Sequence, residues 1–317
     1  MEKRKLGSTG YDVAPLAFGG NVFGWTVDEP TSFLLLDTFV DAGFNLIDTA
    51  DSYSRWVPGH VGGESEAIIG RWIAKRGRHD DVVIATKIGS DMGLGYKCLR
   101  RDYILQGVEQ SLKRLQVDAI DLYQSHWDDE ATPLDETLEA YSRLLQQGKV
   151  KAIGASNLTA DRLRQALDVS RKQGIPRYET LQPQYNLYDR NSFEGPLQEL
   201  CVREGLGVIT YFSLAAGFLT GKYRSEKDFA KSQRGRGMQK YLNARGMRIL
   251  GALDEVAQRH GVKPAHVALA WLVGRPGVTA PIASATSRAQ LRELIAAMQL
   301  ELAADDIRML DRASAAE

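Results

Sequence analysis

Four ionisable residues stand out by type and placement: Asp48, Tyr53, Lys87 and His126. Asp48 follows the apolar run Phe44-Asn45-Leu46-Ile47, Lys87 closes Asp81-Val82-Val83-Ile84-Ala85-Thr86, and His126 comes shortly after Ala119-Ile120-Asp121-Leu122-Tyr123. Tyr53 lies on the stretch just past Asp48. If the three runs are neighbouring strands, the four side chains converge above the strand ends. A free phenol, with a pKa of about 10, is a poor acid near neutrality. A lysine ammonium within a few ångströms favours the phenolate, lowers that pKa and makes the proton easier to give. An aspartate beside the lysine keeps the ammonium charged and offsets the cost of partly burying it. A histidine can donate a hydrogen bond to the same acceptor oxygen. The group such a patch protonates is an oxygen gaining negative charge, as a carbonyl oxygen does when hydride attacks its carbon. Singly, each residue has a plain structural explanation: a cap, a snorkelling stem, a packed aromatic, a structural imidazole. Four matching types at three successive strand ends are much harder to explain that way.

The elements that must position them are legible as an alternation. Short β-branched or apolar runs are followed by longer stretches with apolar residues three and four apart. Strands are expected to end near Gly19 (Val13 to Phe18), Asp48, Lys87, His126, Ser156 (Val150 to Gly154), Gln182, Tyr211 (Gly207 to Thr210) and Pro281 (Gly277 to Ala280). Six of the intervals between these ends run from 26 to 39 residues and the last is 70. A strand–helix–strand crossover takes about 30 residues, so eight strands with helices between them fit a closed parallel (β/α)8 barrel. An open doubly wound sheet usually brings a Gly-x-Gly-x-x-Gly turn after its first strand, and neither Gly93-Leu94-Gly95 nor Gly235-Arg236-Gly237 completes one. Helices are expected after Asp102, from Thr132-Pro133 to a stop at Gly148, after Thr159, over Met247–Val273 with a break at Gly261 to Pro264, over Arg288–Met298, and as an extra C-terminal helix over Ala303–Ala313. Residues 224–245, with Lys227, Lys231, Arg234, Arg236 and Lys240, form a long basic loop that is either a lid or a surface excursion.

Composition narrows the class. The 317 residues carry 40 Lys and Arg against 40 Asp and Glu, and this balance argues against nucleic acid as the main partner. No apolar run approaches the roughly 18 residues of a membrane span, and Met1-Glu2-Lys3-Arg4-Lys5 lacks the apolar core of a signal peptide. Cys98 and Cys201 make neither a disulfide framework nor a Cys-x-x-Cys pair. The expectation is one unit over 1–317, cytoplasmic, with no membrane partner. No interface can be read from the sequence. His126-Trp127-Asp128-Asp129-Glu130 offers ligand types for a metal, but adjacent acids after a strand are more often solvent-facing, and no metal is expected.

The sequence resembles the aldo-keto reductase superfamily over essentially its whole length. Gly43-Phe44-Asn45-Leu46-Ile47-Asp48-Thr49-Ala50-Asp51-Ser52-Tyr53 is similar to that family's first signature, Ala85-Thr86-Lys87 to its lysine strand and Gln124-Ser125-His126-Trp127 to its histidine strand. Gly154-Ala155-Ser156-Asn157 resembles the pair that, with Gln182, holds a nicotinamide carboxamide. Tyr211 stands where the family stacks an aromatic ring on the nicotinamide. Phe212-Ser213-Leu214-Ala215-Ala216-Gly217, running on to Lys222, resembles the segment that holds the pyrophosphate. The early hairpin from Arg4 to Val13 and the Gly221-Lys222-Tyr223 stretch are closer to bacterial reductases and potassium-channel β subunits than to aldose-reductase-like enzymes. The resemblance implies NADPH-dependent reduction of a small-molecule carbonyl, with the catalytic roles on Tyr53, Asp48, Lys87 and His126. It adds Gly20 and Asn21 to the cofactor contacts, and Ser284, Thr286, Arg288, Gln290 and Glu293 at the adenosine end. Many members have Ile-Pro-Lys-Ser followed by a further basic residue, whereas this chain has Ile282-Ala283-Ser284-Ala285 and Gln290. Arg288 is then the nearest charge for a 2′-phosphate, NADPH is favoured, and NADH is the alternative. Trp25, Trp56 and Trp127 are candidate walls of the substrate pocket.

Two other readings compete. Lys87 as a Schiff-base lysine of an aldolase needs a neutral amine, which an adjacent Asp48 disfavours. A cofactor-binding regulatory subunit with low turnover would share the same residues.

Overall fold

Pro15 divides what reads as one strand. Proline has no N–H to pair, and Val13 pairs instead with Arg4 in an antiparallel hairpin of β1 (Arg4–Lys5) and β2 (Asp12–Val13). The barrel begins beyond it, at β3 (Ala17–Gly19). A computed structural model of the chain describes residues 2–315; Met1, Ala316 and Glu317, the ends of the expected 1–317 unit, lie outside the described residues. Seven further strands follow: β4 (Leu46–Asp48), β5 (Val83–Ile88), β6 (Ile120–Ser125), β7 (Val150–Ser156), β8 (Thr180–Gln182), β9 (Gly207–Thr210) and β10 (Val278–Ala283). They close as a parallel barrel in the order β10-β3-β4-β5-β6-β7-β8-β9. All eight expected strands are present within a few residues of their expected ends.

Around the barrel stand α1 (Glu29–Asp41), α2 (Glu64–Arg76), α3 (Arg101–Leu115), α4 (Leu134–Gln146), α5 (Ala160–Gln173), α6 (Pro196–Glu204), α7 (Ala244–His260), α8 (Pro264–Val273), α9 (Arg288–Ala297) and α10 (Ala304–Ser314). The break between α7 and α8 falls at the expected Gly261. Thr159 caps α5 by accepting the Arg162 N–H. Thr132 does not cap α4 as expected, because its hydroxyl donates to Asp129 at 2.6 Å and Pro133 takes the cap position with no side-chain bond. The basic stretch 224–245 is not a loose excursion: it folds into short 3-10 segments over Glu226–Lys231 and Gly235–Tyr241, and Met238 and Tyr241 are buried. No helix of the described residues is long and apolar enough to cross a membrane.

Strand geometry places the site. Side chains two apart on a strand share a face, and Leu46, Val83, Ala85 and Leu122 pack together in the barrel interior with Ala17, Ile209 and Ala280. Two residues beyond these on the same faces come Asp48, Lys87 and Gln124, with His126 next after Gln124. The same pleat that fills the barrel therefore aims the ionisable groups at its carboxyl-end mouth. The hairpin plugs the other end. Leu6 and Val13 join the interior cluster, and the Tyr11 hydroxyl donates to buried Asp121 at 2.9 Å, an acid that also accepts from the Ile84 N–H and from Lys151. Gly7 permits this fit: its backbone is left-handed at φ +58°, and a Cβ there would stand 2.2 Å from the Glu179 carbonyl oxygen.

Candidate active site

Lys87 has no exposed surface, and its ammonium has three partners. It donates to Asp48 Oδ2 at 2.8 Å, to the Thr49 carbonyl at 2.6 Å and to the Tyr53 hydroxyl at 3.4 Å. The other Asp48 oxygen accepts from Gln182 Nε2 at 2.8 Å, so the ends of β4, β5 and β8 are tied together at one carboxylate. Burial alone would lower the Lys87 pKa, but Asp48 and Tyr53 more than offset it and hold the ammonium above the ordinary lysine value. Burial pushes Asp48 upward against the pull of Lys87. A lysine held in this way is a fixed cation, which disfavours the Schiff-base reading.

Tyr53 departs from the sequence expectation. Burial raises its pKa by more than Lys87 lowers it, so the phenol sits above its ordinary value, not below it. Near neutral pH it therefore carries its proton, as an acid must before it can give one. The imidazole of His126 lies with its ring centroid 5.9 Å from that of Tyr53, and its backbone N–H is anchored on the Ile88 carbonyl at 2.7 Å. Burial, reinforced by the Lys87 charge, drives its pKa well below the ordinary histidine value, which leaves the ring neutral.

The three tryptophans stand along this site. Trp25 meets Trp56 edge-on at 5.6 Å, Trp56 meets Tyr53 at 5.7 Å, and Trp127 stacks on His126 at 5.9 Å. Trp56 is half exposed. Two contributors were not singled out in the sequence. Arg234, visible there only as one cation of a basic loop, reaches across the mouth with its guanidinium 5.2 Å from the Trp25 ring, where its charge acts on Tyr53. Ser90 meets the His126 ring; its only sequence signal is a place three residues after Lys87.

The cofactor candidates fall into two groups. On one side of the mouth, Ser156 Oγ donates to the Gln182 carbonyl at 2.7 Å. Asn157 is left-handed at φ +57°, and its amide nitrogen donates to the His126 carbonyl while its oxygen accepts from the Tyr211 hydroxyl at 2.7 Å. Beyond β9 the backbone turns left-handed at Phe212, Ala215 and Ala216, three residues without the freedom of glycine, and again at Gly217. Such a conformation costs about 1–2 kcal/mol per residue and gathers successive N–H groups into an anion-binding concavity. The N–H groups of Ser213 and Leu214 in this turn meet no acceptor among the described residues. A donor-lined cradle of this kind suits the pyrophosphate of a dinucleotide, and Lys222 at its far end folds back beside Gly217, its Nζ 5.0 Å from the centre of the Tyr223 ring.

On the other side, Ser284 Oγ lies 2.7 Å from both the Gly19 carbonyl and Asn21 Oδ1. Gly20 beside them leaves no room for a side chain, since a Cβ would come within 2.9 Å of Ser65 Oγ. Thr286 donates through N–H and hydroxyl to Gln290 Oε1 at 2.9 and 3.0 Å. Arg288 lines a shallow groove with Asp41 of α1 and Arg292 of α9. Glu293 is already engaged, 3.0 Å from Lys263 and 3.1 Å from His266. Two of the acids after His126 have structural partners: Asp128 pairs with Arg162 at 2.9 Å, and Asp129 accepts from the Leu99 N–H. Among the described residues no group of three or more metal-ligating side chains is gathered.

Asp51 lies just beneath this site, 6 % exposed, with its N–H on the Lys87 carbonyl at 3.1 Å and its Oδ1 unpartnered among the described residues. Burial, with Glu66 adding to it, raises its pKa to about 8. The folded protein thus binds a proton that the unfolded chain releases near pH 4. Stability from this group is full below that pH and is lost as pH rises toward 8, at a slope approaching about 1.4 kcal/mol per unit. Asp51→Asn is expected to flatten that part of the stability profile in urea titrations from pH 5 to 9; an unchanged slope would contradict the assignment.

A closed parallel barrel that gathers a phenol, an ammonium–carboxylate pair and a neutral imidazole at its strand ends defines a class of barrel oxidoreductase. The chain belongs to the Aldo/keto reductase family, whose pattern matches residues 15–315. It is 36% identical to an uncharacterized oxidoreductase, YrpG, of Bacillus subtilis, over 98% of this chain and 95% of the relative. It is 34% identical to the aldo-keto reductase YhdN of the same organism, over 93% of this chain and 88% of the relative. It is 32% identical to a probable voltage-gated potassium channel subunit beta of rice (Oryza sativa subsp. japonica), over 95% and 92% respectively. The protein is an oxidoreductase of this family, which generally works with NAD(P)H.

Proposed function

We propose that the protein reduces aldehydes or ketones to alcohols with NADPH, the proton coming from Tyr53. The observation that carries this reading is the buried Lys87 ammonium, 2.8 Å from Asp48 and 3.4 Å from the Tyr53 hydroxyl. When bound, the reduced nicotinamide supplies hydride to the carbonyl carbon. Tyr53 gives its hydroxyl proton to the carbonyl oxygen as negative charge builds there. Lys87 stabilises the phenolate left behind, Asp48 keeps the ammonium in place, and neutral His126 donates a ring N–H toward the same oxygen. Gly20, Asn21, Ser156, Asn157, Gln182 and Tyr211 hold the nicotinamide end, and the turn from Phe212 to Gly217 with Lys222 holds the pyrophosphate. Ser284, Thr286, Arg288, Gln290 and Glu293 meet the adenosine end, Glu293 in competition with its own pairs to Lys263 and His266. Trp25, Trp56 and Trp127 wall the carbonyl substrate.

Fluorescence titration with each cofactor tests the binding half of this reading. NADPH is expected to bind more tightly than NADH. Arg288→Ala should weaken NADPH by a few-fold, the size of an exposed ion pair of about 0.2–1 kcal/mol, and leave NADH unchanged. Equal affinities would contradict the NADPH preference, and no binding of either would overturn the function. The relatives named as potassium-channel β subunits favour a second reading, a cofactor-binding regulatory protein. Tight binding with no turnover on any carbonyl would support it.

A further inference from the structure

We infer that Ser90 is a positioning residue that fixes His126 in the tautomer with its proton on Nε2. This rests on the proposed role of His126 as a hydrogen-bond donor to the substrate oxygen, and it explains how a neutral ring is kept able to donate. A neutral imidazole has one N–H and one bare nitrogen, so the wrong tautomer would present a lone pair to the carbonyl oxygen. Which nitrogen carries the proton is set by the partner of the other. Here that partner is a hydroxyl: Ser90 Oγ lies 2.9 Å from His126 Nδ1.

A hydroxyl can donate or accept, and the geometry decides between the two. Ser52, one residue before Tyr53, donates its own hydroxyl proton to Ser90 Oγ at 3.3 Å. Ser90 is 9 % exposed and has no second acceptor among the described residues. With one lone pair already taken by Ser52, its proton goes to Nδ1. That leaves Nδ1 unprotonated and places the ring's single hydrogen on Nε2. The chain Ser52–Ser90–His126 joins the segment that carries Tyr53 to the segment that follows Lys87, so donor and orienting groups are set by the same loops. The ring is neutral for the reasons given above, and pH does not override the choice near neutrality.

Nitrogen-15 NMR of histidine-labelled protein tests this without any turnover, with the His126 signals assigned by their loss in His126→Asn. The wild type is expected to show an unprotonated Nδ1 and a protonated Nε2, unchanged from pH 6 to 8. In Ser90→Ala both signals should move toward the average of the two tautomers. Ser90→Thr, which keeps the hydroxyl, should restore the wild-type pattern, and Ser52→Ala should produce a smaller shift in the same direction as Ser90→Ala. Carbonyl reduction in Ser90→Ala should fall about fivefold in kcat, the worth of one neutral hydrogen bond, with cofactor affinity unchanged. A protonated Nδ1 in the wild type, or signals indifferent to Ser90→Ala, would overturn the inference. Should the tautomer behave as described in a protein that reduces no carbonyl, the assignment of Ser90 stands and the proposed function falls.

Discussion

Tyr53→Phe is expected to lower kcat and kcat/KM for carbonyl reduction together by about 10²–10⁴-fold, the usual worth of a positioned general acid. Cofactor affinity should stay within twofold of wild type. The substitution removes one oxygen and little else. The ring keeps its edge contacts with Trp56 and His126, and Lys87 keeps its bonds to Asp48 and to the Thr49 carbonyl. What disappears is the only proton in the group that both faces the mouth and touches the ammonium. Steady-state kinetics beside a cofactor titration separate the two effects. Turnover retained within a few-fold would mean that another group supplies the proton.

Lys87→Met should cost both turnover and stability. Asp48 is 2 % exposed, and without the ammonium its carboxylate keeps the neutral amide of Gln182 but no cation. Removing one partner of a buried pair costs about 3–5 kcal/mol, part of which Asp48 recovers by taking up a proton. Turnover should fall at least as far as in Tyr53→Phe, because the cation that opposes burial at Tyr53 is gone and the phenolate has nothing to steady it. Adding Asp48→Asn removes the orphaned charge. The double variant should regain most of the stability, read by urea denaturation, and none of the activity. A Lys87→Met protein with wild-type stability would contradict the pair's buried state, and one with wild-type turnover would contradict its role.

The barrel was legible in the sequence because its strands, apart from exposed Lys151 in β7, are buried and read as short apolar runs, and the spacing of Gly19, Asp48, Lys87, His126, Ser156 and Gln182 carries the crossover length. The convergence of Asp48, Lys87 and His126 was legible for the same reason: each ends a run whose inward face continues to the mouth. What escaped depends on tertiary contact. Pro15 divides the first run only because Val13 has Arg4 to pair with, and Thr132 loses its cap because Asp129 lies within reach. Lys87 alone predicts a lowered pKa for Tyr53, whereas the balance turns on burial, which no local pattern reveals. Ser90 and Arg234 belong to types that are abundant on loops, so nothing marks Arg234 and only a place three residues after Lys87 marks Ser90. The left-handed backbone at Phe212, Ala215 and Ala216 is also invisible to propensity, since these residues are not glycines.

Whether this site passes a hydride and a proton to a carbonyl group is read from the absorbance of reduced cofactor while a panel of aldehydes and ketones is added to the purified protein. The reduced-cofactor band should be lost only when a carbonyl compound is present, with one alcohol formed per cofactor oxidised. Cofactor that binds tightly and stays reduced across the panel, under conditions where the protein remains folded, would contradict it.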